Sequence, residues 1–184
     1  MLRSTLIFIL SCLPTLAMAH NIQMGKSLPT IAIQDGGDIV IEQDDFKTQA
    51  WDSASLQGKV RLIQHIAGRS AAKELNAPMI DAIKAAKLPE ETYQTTTIIN
   101  KDDAIWGTGS FVTSSAQDSK KEFPWSSIVL DEDGVVAKTW QLEPKSSAIV
   151  LLDSQGQVLF VKDGQLNDEE IKQVMALIKQ QLAS

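Results

Sequence analysis

The feature that most constrains the fold is a strand–helix–strand pattern in the middle of the chain. The run 60–66, Val-Arg-Leu-Ile-Gln-His-Ile, is rich in branched side chains and is bounded by Gly58 and Gly68, which predicts a buried central strand. A helical pattern follows, and the β-branched run 95–100 then predicts a second, parallel strand. Because such a βαβ unit is right-handed and belongs to layered α/β folds, the chain is expected to form an α/β domain.

The helix between these strands is expected to contain a proline. Ser70 is in position to cap its first turn, and Pro78 falls inside the pattern. The apolar residues that repeat at helical spacing are Leu75, Met79, Ile80 and Ile83. Since an interior proline removes a hydrogen bond and kinks a helix, the pattern predicts either one bent helix or two short ones.

Turn signals predict a β-hairpin at the start of the domain. Residues 28–33 alternate apolar and polar, Gly36 and Gly37 lie in a turn cluster, and 39–41 resume the strand pattern. The polar stretch 42–57 that follows is interpreted as an ordered excursion anchored by two aromatic residues. The domain is therefore expected to open with a hairpin whose turn is at the two glycines.

The rest of the chain adds short elements and a strong final helix. The predicted elements are a helix within 114–122, a strand at 127–130, a helix at 135–142, and a hairpin from 148–152 and 157–161. Asn167 and Glu170 form a capping-box pattern that starts an amphipathic helix. Together these elements describe a mixed central sheet flanked by helices.

The amino terminus has the pattern of a cleavable secretory signal. Arg3 is positive, the stretch 6–16 is largely apolar, and 17–19 reads Ala-Met-Ala, a small-x-small cleavage pattern. The apolar run is shorter than the ~20 residues of a membrane-spanning helix, and residues 9–11 form a poor motif for lipidation of Cys12. We therefore expect residues 1–19 to be removed and 20–184 to form one domain in the periplasm.

Removal of that segment would also remove the chain's 1 cysteine, Cys12. The processed chain would then lack thiol–disulfide exchange, peroxidatic cysteine chemistry and cysteine-ligated zinc. The full chain has 17 Lys+Arg against 23 Asp+Glu, a net charge of -6. Since phosphate-binding surfaces need clustered basic residues, this balance argues against a nucleic-acid partner.

Two segments carry a family resemblance. They are 64–76, Gln-His-Ile-Ala-Gly-Arg-Ser-Ala-Ala-Lys-Glu-Leu-Asn, and 94–109, Gln-Thr-Thr-Thr-Ile-Ile-Asn-Lys-Asp-Asp-Ala-Ile-Trp-Gly-Thr-Gly. The chain resembles the YtfJ family of bacterial periplasmic proteins over essentially all of 20–184. The resemblance implies a thioredoxin-like fold of the peroxiredoxin-like branch, in a family without an assigned reaction.

The comparison with thioredoxin-like enzymes exposes two departures. Such enzymes hold a Cys-x-x-Cys motif where the first central strand meets its helix, because a helix N-terminus stabilises the thiolate. The corresponding residues 67–73 contain no cysteine, and the position of the usual cis-proline matches Ser146 and Ser147. The fold therefore does not by itself predict an activity.

Polar side chains follow both predicted parallel strands. Arg69 and Ser70 come after the first strand, and Asp102 and Asp103 come after the second. Because open α/β sheets bind ligands at the carboxyl ends of their strands, these four residues form the candidate binding crevice. Free helix amides and Arg69 could hold a carboxylate or another anion. The alternative is a capped helix with a surface ion pair between Arg69 and an acidic neighbour.

Other groupings give weaker signals. Asp102 and Asp103 lack the further spaced carboxylates of a Ca²⁺ or Mg²⁺ site, and nothing in the sequence shows that Ser70 and His65 converge as a nucleophile and base. A new N-terminal His20 could chelate Cu(II) together with His65, but a terminal histidine is usually solvated. The tryptophans that could pack or line a cleft are Trp51, Trp106, Trp125 and Trp140. No metal and no cofactor are therefore predicted.

The function predicted from sequence is binding without redox turnover. The partner would be an unidentified protein or a small ligand, with no nucleic acid and no membrane span in the processed chain. The alternative is a non-thiol enzyme that uses the same crevice. The sequence alone names no ligand.

Overall fold

Seven strands form one mixed sheet in the computed structural model, which describes residues 20–183. The strands are β1 (Ala32–Glu42), β2 (Asp45–Asp52), β3 (Val60–Ala67), β4 (Tyr93–Asn100), β5 (Ser127–Asp131), β6 (Ser147–Leu152) and β7 (Val158–Asp163). Their spatial order is β2-β1-β5-β4-β3-β6-β7. The predicted secretory signal, residues 1–19, lies outside the described residues.

The predicted βαβ unit is the centre of this sheet. Strands β3 and β4 pair in parallel from Val60 opposite Tyr93 to Ala67 opposite Asn100. Strand β5 continues the parallel set beside β4, whereas β1 and β6 join it antiparallel. The carboxyl ends of β3, β4 and β5 consequently share one edge of the sheet, which the sequence predicted for β3 and β4.

Within residues 20–183, four α-helices and one 3₁₀ turn cover the two faces of the sheet. The helices are α1 (Ser70–Ala86), α2 (Gly109–Glu122), α3 (Val135–Trp140) and α4 (Asp168–Leu182), and the 3₁₀ turn is Ser53–Leu56. Side chains that alternate along β3 enter different apolar clusters on the two faces of the sheet. Leu62 packs in the cluster formed with α1 and α4, whereas Ile63 packs in the cluster on the other face with α3 and the 3₁₀ turn.

The face that carries α1, α2 and α4 contains two apolar clusters instead of one. The first cluster includes Met79 of α1 and Val174 of α4. The second lies under α2 and includes Ala116 with Ile66 and Ile128 of the sheet. The two clusters are separate because the sheet between them is not covered by apolar packing.

The amino-terminal hairpin exists, but its predicted turn was wrong. Strand β1 runs through Gly36 and Gly37, and the chain reverses instead between β1 and β2 at Gln43 and Asp44, both with positive φ. The two glycines lie at a β-bulge where β1 pairs with β5. The stretch predicted as an ordered excursion therefore contains the second strand of the hairpin.

Helix α1 is one continuous helix with Pro78 inside it. The predicted cap by Ser70 was wrong. Arg69 occupies the N-cap position in extended conformation, and no side chain caps the helix. The first turn also carries no acidic residue, so its free amides remain available to an anion.

The C-terminal half agrees closely with the sequence prediction. The hairpin of β6 and β7 is present, and α4 starts at the predicted capping box, in which the side chains of Asn167 and Glu170 each accept from the other's main-chain amide. Helix α2 begins at Gly109, five residues before the predicted segment. Helix α3 is held by Asp131, whose carboxylate accepts from the amides of Val135 and Val136 at 2.9 and 2.8 Å.

Candidate functional site

A groove of about 870 Å³ lies between α1 and α2, above the central strands β3 and β4. It occupies the uncovered part of the sheet between the two apolar clusters described above. The residues of its floor include Gln64, Thr95, Thr97 and Ile99. The apolar side chains of its walls include Ile80, Ile83, Phe111, Val112 and Trp125. Its volume falls within the ~300–1,000 Å³ of small-molecule sites.

The polar groups of the floor are already paired with one another. The side-chain amide of Gln64 donates to the Thr97 hydroxyl at 2.8 Å, and the hydroxyls of Tyr93 and Thr95 lie 3.0 Å apart. Burial raises the pKa of Tyr93, so its phenol stays protonated and uncharged. A bound molecule therefore meets a floor whose hydrogen-bonding needs are largely met.

Charge is distributed unevenly along the groove. Arg69 and Lys73 lie at the end near the first turn of α1, and no carboxylate within residues 20–183 forms an ion pair with either. At the other end, Lys84 lies 3.8 Å from Glu122 and 4.6 Å above the Phe123 ring. Lys87 and Glu90 also line the groove at that end, so the charges there balance and the net positive charge lies at the Arg69 end.

The structure divides the four residues of the predicted crevice into two pairs. Arg69 and Ser70 line the groove, whereas Asp102 and Asp103 are not among its lining residues. Asp102 pairs with Lys138 at 2.9 Å on the exposed surface. The acidic pair consequently lies outside the groove.

Asp103 joins three segments of the sheet edge. Its carboxylate accepts from the main-chain amide of Lys145 at 2.8 Å and from the Asn100 side chain at 3.3 Å. Its main-chain carbonyl accepts from Nε of Arg69 at 2.5 Å. Asp103 therefore positions Arg69 through its backbone, and the alternative of an Arg69–carboxylate ion pair is not what the geometry shows.

His65 lies on the opposite face of β3 from the groove. Its neighbours Gln64 and Ile66 line the groove, so alternation directs His65 away from it and from Ser70. The imidazole is 3% exposed, its Nε2 has no partner among the described residues, and burial lowers its pKa to about 4. Within residues 20–183, no cluster of three or more histidine or acidic side chains could hold a metal ion.

The tryptophans have different environments. Trp51 and Trp140 are buried in the core, whereas Trp106 is 98% exposed and Trp125 lies at the groove. Phe111, which is 70% exposed, forms part of the α2 wall and was missed by the sequence reasoning. The sequence did contain one signal for the groove. Gln64, Thr95 and Thr97 are polar residues on one face of strands that were predicted to be buried.

Helices long and apolar enough to cross a bilayer do not occur within residues 20–183.

Proteins of similar sequence match this chain over most of its length. The model of a family described as "Bacterial protein of unknown function (YtfJ_HI0045)" matches residues 22–181. The chain is 51% identical over 178 residues to "Uncharacterized protein YtfJ" of Escherichia coli (strain K12), which covers 96% of this chain and 97% of that protein. It is 50% identical over 160 residues to a protein of Haemophilus influenzae, with 87% of each chain covered.

Similar solved structures identify the fold. The thioredoxin domain of a thiol-disulfide oxidoreductase from Bacteroides vulgatus has a TM-score of 0.57 and 13% identity, with 86% of this chain and 99% of that domain covered. A thiol:disulfide interchange protein from Bacteroides sp. has a TM-score of 0.57 and 16% identity, with 88% of this chain and 93% of that protein covered. At these identities the likeness shows the fold alone, and the predicted thioredoxin-like fold is confirmed.

Proposed function

The chain belongs to the family of bacterial proteins described by the YtfJ_HI0045 model, and from this premise we propose that it is a periplasmic binding protein that holds a small ligand between α1 and α2. The groove of about 870 Å³ is the observation that carries the proposal. A groove of this size with apolar walls and a few polar groups is a typical small-molecule site. The same helix in thioredoxin-like enzymes begins at a redox cysteine, but here it begins at Arg69 and Ser70.

The proposal includes export with cleavage of the predicted signal, and thereby the absence of thiol chemistry. The sequence has 1 cysteine, at position 12, within the predicted signal. Cleavage after Ala19 would leave a chain without any thiol. Intact mass measurement of the protein recovered from a periplasmic fraction should give a chain that starts at His20. Retention of Cys12 would contradict the proposal, as would insulin reduction at the rate of a true oxidoreductase.

Binding can be tested with a substitution that fills the groove. Ser115 of α2 lines the groove, whereas its neighbour Ser114 is exposed and does not. Ser115→Trp should abolish the fluorescence enhancement of an apolar, environment-sensitive dye, and Ser114→Trp should leave it unchanged. Equal dye binding by the two variants, both folded as judged by circular dichroism, would refute the groove as a binding site.

A further inference from the structure

We propose that the ligand is an elongated amphipathic anion, a carboxylate with a long hydrocarbon tail, whose charged group binds at Arg69 and Lys73. This inference rests on the groove being the binding site. The charge distribution, the shape of the groove and the nature of its floor each contribute an independent argument.

The charge of the groove favours an anion at one end. The basic residues that line it are Arg69, Lys73, Lys84 and Lys87, against two acidic residues, Glu90 and Glu122. Glu122 is engaged with Lys84 at the far end. This local excess of positive charge occurs in a chain whose net charge is -6. An anionic group beside Arg69 would therefore be attracted there and repelled by most of the remaining surface.

Arg69 is held in place for such a contact. Its Nε donates to the main-chain carbonyl of Asp103, which leaves the two terminal nitrogens of the guanidinium for a ligand. The first turn of α1 begins next to it without a side-chain cap. A carboxylate at this position would receive hydrogen bonds from a fixed guanidinium, with Lys73 one turn further along the helix.

The length of the groove favours an extended ligand. Its floor follows β4 from Tyr93 to Ile99, a distance of about 20 Å at ~3.3 Å per residue. Apolar side chains line both sides along this distance, including Ile83 of α1 and Val112 of α2. A hydrocarbon tail that lies along the strand would bury its surface against both walls.

The position of the groove argues against a peptide as the occupant. It lies over the face of β3 and β4, and both strands are paired on each side within the sheet. A peptide bound there would find no free main-chain edge to satisfy its own amides and carbonyls. The hydroxyls of Thr95 and Thr97 are also already engaged. A tail without polar groups meets neither difficulty.

Calorimetric titration with matched probes tests the proposal. Dodecanoate has both the hydrocarbon tail and the negative charge. Dodecan-1-ol has the tail without a charge, and dodecyltrimethylammonium has the tail with a positive charge. Acetate has the negative charge without the tail. We expect dodecanoate to bind at least about tenfold more tightly than the other three. Arg69→Gln with Lys73→Gln should remove that preference. The control, Lys172→Gln with Lys179→Gln, makes the same change of net charge on exposed positions of α4 and should retain it.

The outcomes separate this inference from the proposed function. Equal binding of the three dodecyl compounds, all blocked by Ser115→Trp, would overturn the carboxylate preference and leave the groove as a binding site. Dodecanoate binding that is unaffected by Ser115→Trp would overturn both proposals. Should that variant fail to fold, Phe111→Ser serves instead, because Phe111 is an exposed part of the wall and its loss should weaken dodecanoate binding severalfold.

Discussion

Lys84 of α1 reaches across the groove to Glu122 of α2, with 3.8 Å between its ammonium nitrogen and the carboxylate oxygen. Both side chains are largely exposed, so the pair adds at most about 1 kcal/mol to stability. Its structural effect is to bridge the two helices at the end of the groove opposite Arg69. We therefore expect the pair to limit how far a bound molecule can extend between the two helices.

The Lys84 bridge should set a maximum tail length. In a series of carboxylates with increasing tails, each buried methylene should raise affinity about fourfold until the tail meets Lys84 and Glu122. Lys84→Ala should move the plateau to longer tails. Lys121→Ala removes a lysine that lies over Phe46, outside the groove, and should leave the plateau in place. An identical plateau in the two variants would show that the bridge does not close the groove.

Gly37→Ala should destabilise the fold by more than about 2 kcal/mol. Gly37 has a φ of +99°, and an added Cβ would clash with the main-chain carbonyl of Gln49 on β2. Gly58 provides the control, because its φ is +94° but nothing lies within 4 Å of an added Cβ. Gly58→Ala should cost about 1 kcal/mol from the backbone conformation alone. Urea unfolding of both variants measures the two losses of stability, and equal losses would contradict this prediction.

His65 should make stability depend on pH. Its pKa is lowered to about 4 by burial, from the usual 6.5, so the unfolded chain binds the proton more readily than the folded chain. The His65 contribution to the free energy of unfolding is therefore lost as pH falls from about 6.5 towards 4, by roughly 3 kcal/mol.

Substitution of His65 isolates this contribution. Burial raises the pKa values of Asp38, Asp131 and Asp163, which favours the folded state on acidification and opposes the histidine effect. The difference between wild type and His65→Leu, measured by urea unfolding at each pH, cancels these carboxyl effects. Ile63→Val, on the same face of β3 and without a titratable group, should keep the wild-type slope. A His65→Leu slope equal to that of wild type would disprove the assignment.

Asn167→Ala should cost about 1 kcal/mol of stability. The Asn167 side chain accepts from the Glu170 amide at 2.9 Å and thereby satisfies one free donor of α4. Gln165→Ala, at an exposed position just before the helix, should change stability by less than about 0.5 kcal/mol. Thermal unfolding followed by circular dichroism would show the difference between the two variants.

Local patterns predicted the elements whose signals are local. Strands β3 and β4, the β6–β7 hairpin and the capping box at Asn167 each follow from residues close together in sequence. Gly36 and Gly37 were misinterpreted because a turn and a bulge use the same positive φ. What distinguishes them is the contact of β1 with β5, and no local pattern contains it.

The candidate site was predicted only in part, because its walls depend on contacts between residues far apart in sequence. Arg69 and Ser70 were placed correctly at the end of β3, because the carboxyl edge of parallel strands is set by topology. The groove itself depends on the spacing between α1 and α2 as they dock on the sheet. That spacing is fixed by tertiary packing of two separate apolar clusters, so Phe111 and Val112 could not be assigned to a wall from their spacing in sequence.

The place of β1 beside β5 should make completion of the sheet a late step in folding. Asp38 of β1 accepts from the Ile128 amide at 3.0 Å, and the two residues are 90 positions apart. Since long-range strand pairing slows folding, the amino-terminal hairpin must wait, without its inner neighbour, for much of the chain to be synthesised. The amino-terminal hairpin is therefore expected to be among the last parts of the sheet to gain its full set of main-chain hydrogen bonds.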